Sequence, residues 1–250
     1  MSDFYDRMAS LYHLIFQDWD KSIERQAGQL TGILRERWGA DRRSILDVSC
    51  GIGTQAIGLA QRGFVVTASD LSYGAIARAK AEARRRTVAI DFSVCDMRAA
   101  YTHHRRQFDV VLSCDNSITH LLNDDDLLLA LRQMYDCTRP GGGCLLTVRD
   151  YDREERGTGL VKAYGVREEG GRRYVIFQVW NFVDRFYDMA MYFVMDDRAS
   201  QQLVTHVMRT QYNAIGTDQL LALMSEAGFT STERLDGRFY QPVLVGNREA

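Results

Sequence analysis

The chain has 250 residues, of which 46% are apolar, with 31 basic and 33 acidic side chains and a formal charge of -2. That is enough apolar material for a large buried core. It leaves no basic surplus to draw nucleic acid or an anionic membrane, so small molecules are the expected partners.

Cys50, Cys95, Cys114, Cys137 and Cys144 form no C-x-x-C pair, and three of them sit in strand-like runs such as "FSVCDM" and "VVLSCDN". They are expected to be reduced thiols in a cytoplasmic protein. The opening "MSDFYDRMASLY" carries charges where a signal peptide needs an apolar core, and nowhere do about 18 apolar residues run together. The five histidines show no ligand spacing beyond the adjacent His103 and His104, so no metal site is expected. The runs at Arg84 to Arg86 and His103 to Arg106 read as solvated charge.

In chain order, "WDKSIERQAGQLTGILRERW" places Ile23, Ala27, Leu30, Ile33, Leu34 and Trp38 at three- and four-residue spacing. This predicts an amphipathic helix over 19–38, ended by Gly39. Strand "SILDVSC", a helix over 54–62, strand "FVVTASD", a helix over 72–86 and strand "IDFSVCD" follow. Then come "FDVVLSCDN", a helix over 124–138 and "GCLLTVRDY". Apolar strands separated by helices predict an α/β fold, a parallel sheet with helices on both faces.

After Tyr151, "DREERGTGL" has no periodicity. The aromatic and β-branched runs "RRYVIFQVWNF", "FYDMAMYFVMD" and "LVTHVMRTQYNA" then predict three strands of an antiparallel meander. A helix over 217–227 capped by Gly228 and the closing strands "TSTERLD" and "FYQPVLVGN" complete the chain. The expectation is a single domain over 1–250. Residues 1–40 form a lid and helix, 41–151 a ligand-binding core, 152–213 an inserted sheet over the site and 214–250 the closing elements. An insertion after the fifth strand emerges at the carboxyl edge of the sheet, where open α/β sheets bind ligands.

"LDVSCGIGTQA" is a strand, a glycine turn and a helix start, a local design that brings backbone N–H groups close to a ligand. Gly51 and Gly53 are too close together for the triphosphate loop, and no lysine follows. The dinucleotide form G-x-G-x-x-A is matched by Gly51, Gly53 and Ala56, with Asp70 ending the next strand. Asp47, four residues before Gly51, opposes a pyrophosphate and favours a ligand without phosphate, preferably cationic. A nicotinamide-dependent oxidoreductase and a noncatalytic sensor both remain open at this point.

"LDVSCGIGTQ", "ASDLS", "CDMR" and "RPGGGCLLTV" resemble the successive motifs of class I S-adenosylmethionine-dependent methyltransferases, whose fold is Rossmann-like. "YDRMASLYHLIFQDWDKSIERQ", "CDNSITHLL", "VRDYD", "FQVWNF" and "FYQPVLV" extend the likeness over almost the whole chain, to bacterial small-molecule N-methyltransferases of the glycine/sarcosine type. The resemblance implies S-adenosylmethionine as cofactor and methyl transfer to a small-molecule acceptor. An amine nitrogen is the first expectation for that acceptor and a planar aromatic or heterocyclic N or O the alternative. A monomer or a homodimer is expected.

Carried over residue by residue, the resemblance puts Asp70 at the ribose hydroxyls and Gly51 and Gly53 beside the methionyl moiety. Gln55 and Leu71 belong to the same cofactor set. Asp47 orients the loop or meets the methionine amino group, Asp96 faces the adenine amino group, and Met97 packs on the ring. Cys114 and Asp115 offer backbone groups, and Arg25 is a candidate for the methionine carboxylate. Tyr5, Tyr12 and Trp19 make a lid. Asn116, His120 or a tyrosine hydroxyl such as that of Tyr12 orients the acceptor. Arg149 and Tyr151 point to the acceptor from the end of the fifth strand, with Trp180 and Tyr240 lining its pocket.

Overall fold

The computed structural model describes residues 2–250, with the side chain of Ser2 left aside. α1 (Ser2–Met8) and a short 3-10 turn (Tyr12–Ile15) precede α2 (Trp19–Trp38). β1 (Ser44–Asp47), α3 (Thr54–Gln61), β2 (Val65–Asp70), α4 (Tyr73–Arg85) and β3 (Asp91–Val94) follow, then α5 (Ala100–His104), β4 (Phe108–Ser113), α6 (Asp124–Cys137) and β5 (Thr138–Thr147). The chain closes with α7 (Thr217–Glu226), β10 (Thr230–Leu235) and β11 (Val243–Asn247). These strands make one seven-stranded sheet in the order β10-β11-β5-β4-β1-β2-β3. β1 to β5 pair in parallel, and β11 runs antiparallel to β5 and β10.

Neighbouring strand residues point to opposite faces, so a sheet covered on both sides must be apolar at every position. Ile45, Val110, Leu112 and Leu145 accordingly pack under α2, α3 and α4, while Leu46, Val111, Cys144 and Leu146 pack under α6 and α7. Local signals set the helix starts: Ser72 accepts from the Ala75 N–H, Asn123 accepts from the Asp126 N–H, and three aspartates occupy the first turn of α6. Gly58 lets α3 lie against α2, since a Cβ there would meet the Ala27 Cβ at 2.6 Å and the Ile23 carbonyl at 2.8 Å.

Between Tyr151 and α7 stands a separate antiparallel sheet in the order β6-β7-β8-β9. Its members are β6 (Leu160–Glu169), β7 (Arg172–Val183), β8 (Phe186–Asp197) and β9 (Gln202–Asn213). It has four strands where the sequence predicts three. β6 escapes the pattern because its register with β7 shifts between Ala163 and Gly165, with Gly165 at φ +95°. Such a bulge puts one extra residue into the strand and inverts the in/out alternation halfway along. The inner face, with Tyr174, Ile176, Trp180, Met189, Met191 and Phe193, packs on Phe4, Met8 and Leu14 from the N-terminal segment. The antiparallel sheet and α1 therefore enclose the carboxyl edge of the parallel sheet.

Candidate active site

The cleft opens at the carboxyl ends of β1 to β4, where the strand order reverses between β1 and β4; this is the switch point at which open α/β sheets take ligands. It has a volume of about 790 Å³ including its mouth. Ser49, Cys50, Gly51 and Ile52 of the first turn form one wall. Gly51 stands at φ +52° and Gly53 at φ +94°, the left-handed region that glycine enters at little cost. Gly53 sets the turn but faces Ile57 and Ala79 rather than the cleft.

Asp70 ends β2 and fastens this turn: Gly51 N–H donates to one carboxylate oxygen at 2.8 Å and Ser72 N–H to the other at 2.9 Å. Each oxygen keeps a further lone pair for a ligand hydroxyl. Burial raises the Asp70 pKa, while the two N–H groups pull the other way. Asp47 is fully buried beneath the turn. Its Oδ1 accepts from Ser49 N–H at 3.1 Å, and its Oδ2 has no partner among the described residues. Burial pushes its pKa up to about 7.

Past β3, Cys95, Asp96, Met97 and Arg98 line the opposite wall with Leu71 and Leu121. Asp96 lines the cleft with its carboxylate already partnered. Its carboxylate is occupied by the Arg98 guanidinium, Nη2 at 2.6 Å and Nε at 3.1 Å, and by the Arg98 N–H at 2.9 Å. Burial opposes its charge, but those bonds hold its pKa below the usual carboxylate range. Asp96 thus anchors Arg98 at the rim.

After β4, Asp115 and Asn116 stand in succession at φ +59° and +67°, a conformation that costs non-glycine residues energy and needs support. Thr147 provides it, its hydroxyl accepting from Asp115 N–H at 2.7 Å and its carbonyl from Asn116 N–H at 2.9 Å. The kink turns Asp115 to the cleft and directs Asn116 away along β5. There Asn116 Oδ1 accepts from Arg149 N–H and its Nδ2 donates to the Tyr151 hydroxyl at 2.6 Å.

A second chamber of about 490 Å³ including its mouth joins the cleft at Tyr5, Tyr12 and Asp115, which line both. Its walls come from both sheets: Asn116 and Arg149 from the parallel one, Tyr164, Gln178, Tyr187, Met189, Met191 and Tyr212 from the antiparallel one. Arg149 stacks 4.5 Å from the Trp180 ring centre, donates to the Tyr187 hydroxyl at 3.3 Å and lies 3.6 Å from Glu154. At the junction, Tyr5 and the His120 Nε2 share a 2.7 Å hydrogen bond, and Tyr212 stacks on the imidazole at 4.0 Å. Burial lowers the His120 pKa to about 3, so the ring is neutral near pH 7. Asp6 straps α1 down by accepting from the Ser72 hydroxyl and the Gly74 N–H.

Of the residues singled out in the sequence, Tyr5, Tyr12, Gly51, Gln55, Asp70, Leu71, Asp96, Met97, Asp115 and His120 line the cleft. Asn116 and Arg149 line the chamber. Others lie outside both. Arg25 is exposed on α2, one residue from the buried Gln26 that accepts from Gln55 Nε2 at 2.8 Å; the cleft side of the helix is the Gln26 side. Trp19 is buried rather than a lid, its indole N–H donating to Thr54 and its ring covered by Arg86. Cys114 is buried behind Asp115. Tyr151 and Trp180 are buried behind the chamber wall, supporting Asn116 and Arg149 rather than lining the space. Tyr240 is 49% exposed and reaches the site only by donating to Asp115 at 2.6 Å. Sequence reasoning missed Tyr164, Gln178, Tyr187, Met189, Met191 and Tyr212. The period-two pattern of "RRYVIFQVWNF" carried a signal for one of them: Gln178 is the polar member of the apolar series Tyr174, Ile176, Trp180.

Residues 45–142 match the family model described as a methyltransferase domain. The chain is similar to a glycine/sarcosine N-methyltransferase of Parasynechococcus marenigrum, 34% identical over 162 residues that make up 65% of this chain and 55% of the relative. It spans about half the length of the curated relatives it matches. Among solved structures it is similar in fold to Streptomyces venezuelae DesVI, with a TM-score of 0.83 at 22% identity, covering 97% of this chain and 98% of that one. It is also similar to KedS8, described as a sugar N-methyltransferase from Streptoalloteichus, with a TM-score of 0.80 at 22% identity, covering 96% and 93%. The motif succession, the sheet order, the glycine turn closed by Asp70 and the match to a methyltransferase domain over residues 45–142 together favour S-adenosylmethionine over a dinucleotide in this cleft.

Proposed function

We propose that the protein transfers the methyl group of S-adenosylmethionine to an amine nitrogen of a small molecule. The observation that carries this is the meeting of two spaces at Tyr5, Tyr12 and Asp115: a cleft with the cofactor residues the resemblance implies, and a chamber with a guanidinium and tyrosines. The cleft suits the cofactor. Asp70 accepts from the ribose hydroxyls, Leu71, Met97 and Leu121 cover the adenine, and the unpartnered Asp47 Oδ2 and Asp115 favour the cationic methionyl end. The cofactor supplies an electrophilic methyl on a sulfonium; the S–CH₃ bond breaks as the N–CH₃ bond forms.

The chain's own residues align the nucleophile and exclude water, because positive charge disperses in this displacement. The neutral Tyr5–His120 pair orients the lone pair of an unprotonated amine and needs no dedicated base. Arg149 offers a carboxylate of the acceptor a bidentate partner, which fits an amino acid of the glycine or sarcosine kind. The similarity to glycine/sarcosine N-methyltransferases supports that substrate class. Calorimetric titration with S-adenosylmethionine and S-adenosylhomocysteine tests the cofactor half; absence of binding by both would end the reading.

A homodimer and a cytoplasmic location belong to the same proposal. The outer face of the antiparallel sheet is apolar at its centre, with Phe177 stacked on Tyr192 at 4.7 Å and Val175, Val194 and Val207 in the neighbouring positions. Val161 and Val166 on β6 are 63% and 54% exposed. Arg173, Asn181, Asp188 and Arg209 share this outward face toward the strand ends, so an apolar centre is ringed by polar residues, as at an interface between proteins. Strands of 10 and 12 residues, four abreast, present on the order of 700 Å², close to the ~800 Å² per partner of a stable interface. A second copy of this chain matches that size, and light scattering is expected to give twice the 28.5 kDa chain mass for the wild type and one chain mass for Val194→Lys. A wild-type monomer at all concentrations would contradict the dimer. The five free, buried cysteines suit a reducing compartment.

A further inference from the structure

Gln178 sits on β7 with its side chain on the wall of the second chamber, and it is 8% exposed. Two residues along the same face, the Trp180 indole donates to Gln178 Oε1 at 2.8 Å. An indole nitrogen only donates, so it selects the amide oxygen and fixes which end of the amide is which. The Nε2 end, with two N–H donors, then has no protein partner among the described residues and is left to the space of the chamber that Gln178 lines. A donor on a chamber wall with no protein partner meets water or a ligand there. The same Trp180 ring carries Arg149 stacked on its face at 4.5 Å. One buried indole thus holds two donors at one end of the chamber, the guanidinium by its face and the amide by its edge.

We propose that Gln178 is a specificity-determining residue: its amide N–H, fixed by Trp180, donates to an oxygen of the methyl acceptor beside Arg149. This rests on the reading of the chamber as the acceptor site. The ligand chemistry it requires is a small amine carrying a hydrogen-bond-accepting oxygen away from its nucleophilic nitrogen. A carboxylate and a sugar hydroxyl both meet that description, and the test separates them. Trp180 acts as the positioning residue, through Gln178 and Arg149, without touching the acceptor. Because Gln178 stands away from the cleft, its bond is the same in ground and transition states, and its loss raises KM while leaving kcat nearly unchanged.

The test follows the side-chain amide resonances of Gln178, identified by their disappearance in Gln178→Leu, in the whole protein with and without S-adenosylhomocysteine. Glycine, sarcosine and glucosamine are the probes. Movement of the Gln178 pair with glycine or sarcosine assigns a carboxylate, and movement with glucosamine alone assigns a hydroxyl. No movement with any probe overturns the proposal. In turnover of whichever probe is methylated, Gln178→Leu is expected to raise the acceptor KM about 10-fold or more with kcat within about twofold. Gln178→Glu keeps an oxygen for Trp180 but presents an acceptor to the chamber, and is expected to be worse than leucine with a carboxylate substrate. Trp180→Phe keeps a ring under Arg149 but frees the amide to rotate, with an expected rise of a few-fold. An unchanged KM in Gln178→Leu also overturns the proposal. Binding of S-adenosylhomocysteine, measured by calorimetry on the same variants, is expected to be unaltered. Failure of that binding in the wild type counts against the methyltransferase reading, whereas intact binding with a silent Gln178 counts against this proposal alone.

Discussion

The two halves of the site are built on different principles. The cofactor half is backbone held by strand ends: two N–H groups fasten Asp70, glycines make the turn, and Thr147 supports the kink at Asp115 and Asn116. The acceptor half is side chains held by other side chains, with Trp180 under Arg149, Tyr151 against Asn116 and Tyr212 on His120. The first is fixed by secondary structure and hard to vary. The second depends on which residues face inward in a small sheet, and exchanging them alters the chamber without touching the fold.

The largest expected break in this comparison is Asp70→Ala. It removes the acceptor proposed for the two ribose hydroxyls and unfastens Gly51 and Ser72, so S-adenosylmethionine affinity is expected to fall at least about 100-fold by calorimetry. Next is Arg149→Met, which takes the cation from the chamber and not from the cleft. With a carboxylate acceptor its KM is expected to rise about 100-fold, while S-adenosylmethionine affinity changes less than about threefold. Equal losses of both ligands in Arg149→Met would erase the distinction between the halves.

A smaller effect belongs to Asp47. Burial raises its folded-state pKa to about 7, above an unfolded value near 4, so the folded chain binds more protons in that window. Its contribution to stability falls as pH rises from about 4 to about 7 and stays low above. Asp47→Asn is therefore expected to raise the melting temperature more at pH 8 than at pH 5, by about 2–4 °C for each kcal/mol, with weaker cofactor binding. An identical shift at both pH values would count against a titrating Asp47. The smallest effect is the absence of one: with His120 neutral down to about pH 3, the rate profile between pH 5 and 8 is expected to have the same shape in wild type and His120→Asn.

How much of this was legible follows from the same division. The parallel core declares itself through apolar runs, caps and the glycine turn, all of them local, so Gly51, Asp70, Met97 and Asp115 stand in the cleft as the residues suggested. Arg25 missed by one position on a helix, since a step of one residue turns the side chain by about 100° and Gln26 is the inward neighbour. Trp19 was misplaced because an aromatic at the first position of a helix reads equally as lid or as core, and only the Thr54 hydroxyl decides. The chamber was the least legible part. β6 hides behind a bulge, and the inward set of β7 and β8 depends on a register that the hairpins fix, not on composition.

The most direct test of the central claim is mass-spectrometric turnover with methyl-deuterated S-adenosylmethionine, offering glycine and sarcosine together with other small amines. The account predicts that one of these amines gains a deuterated methyl group while S-adenosylhomocysteine appears in equal amount. Cofactor that is neither bound nor consumed, with every amine recovered unchanged, would contradict it.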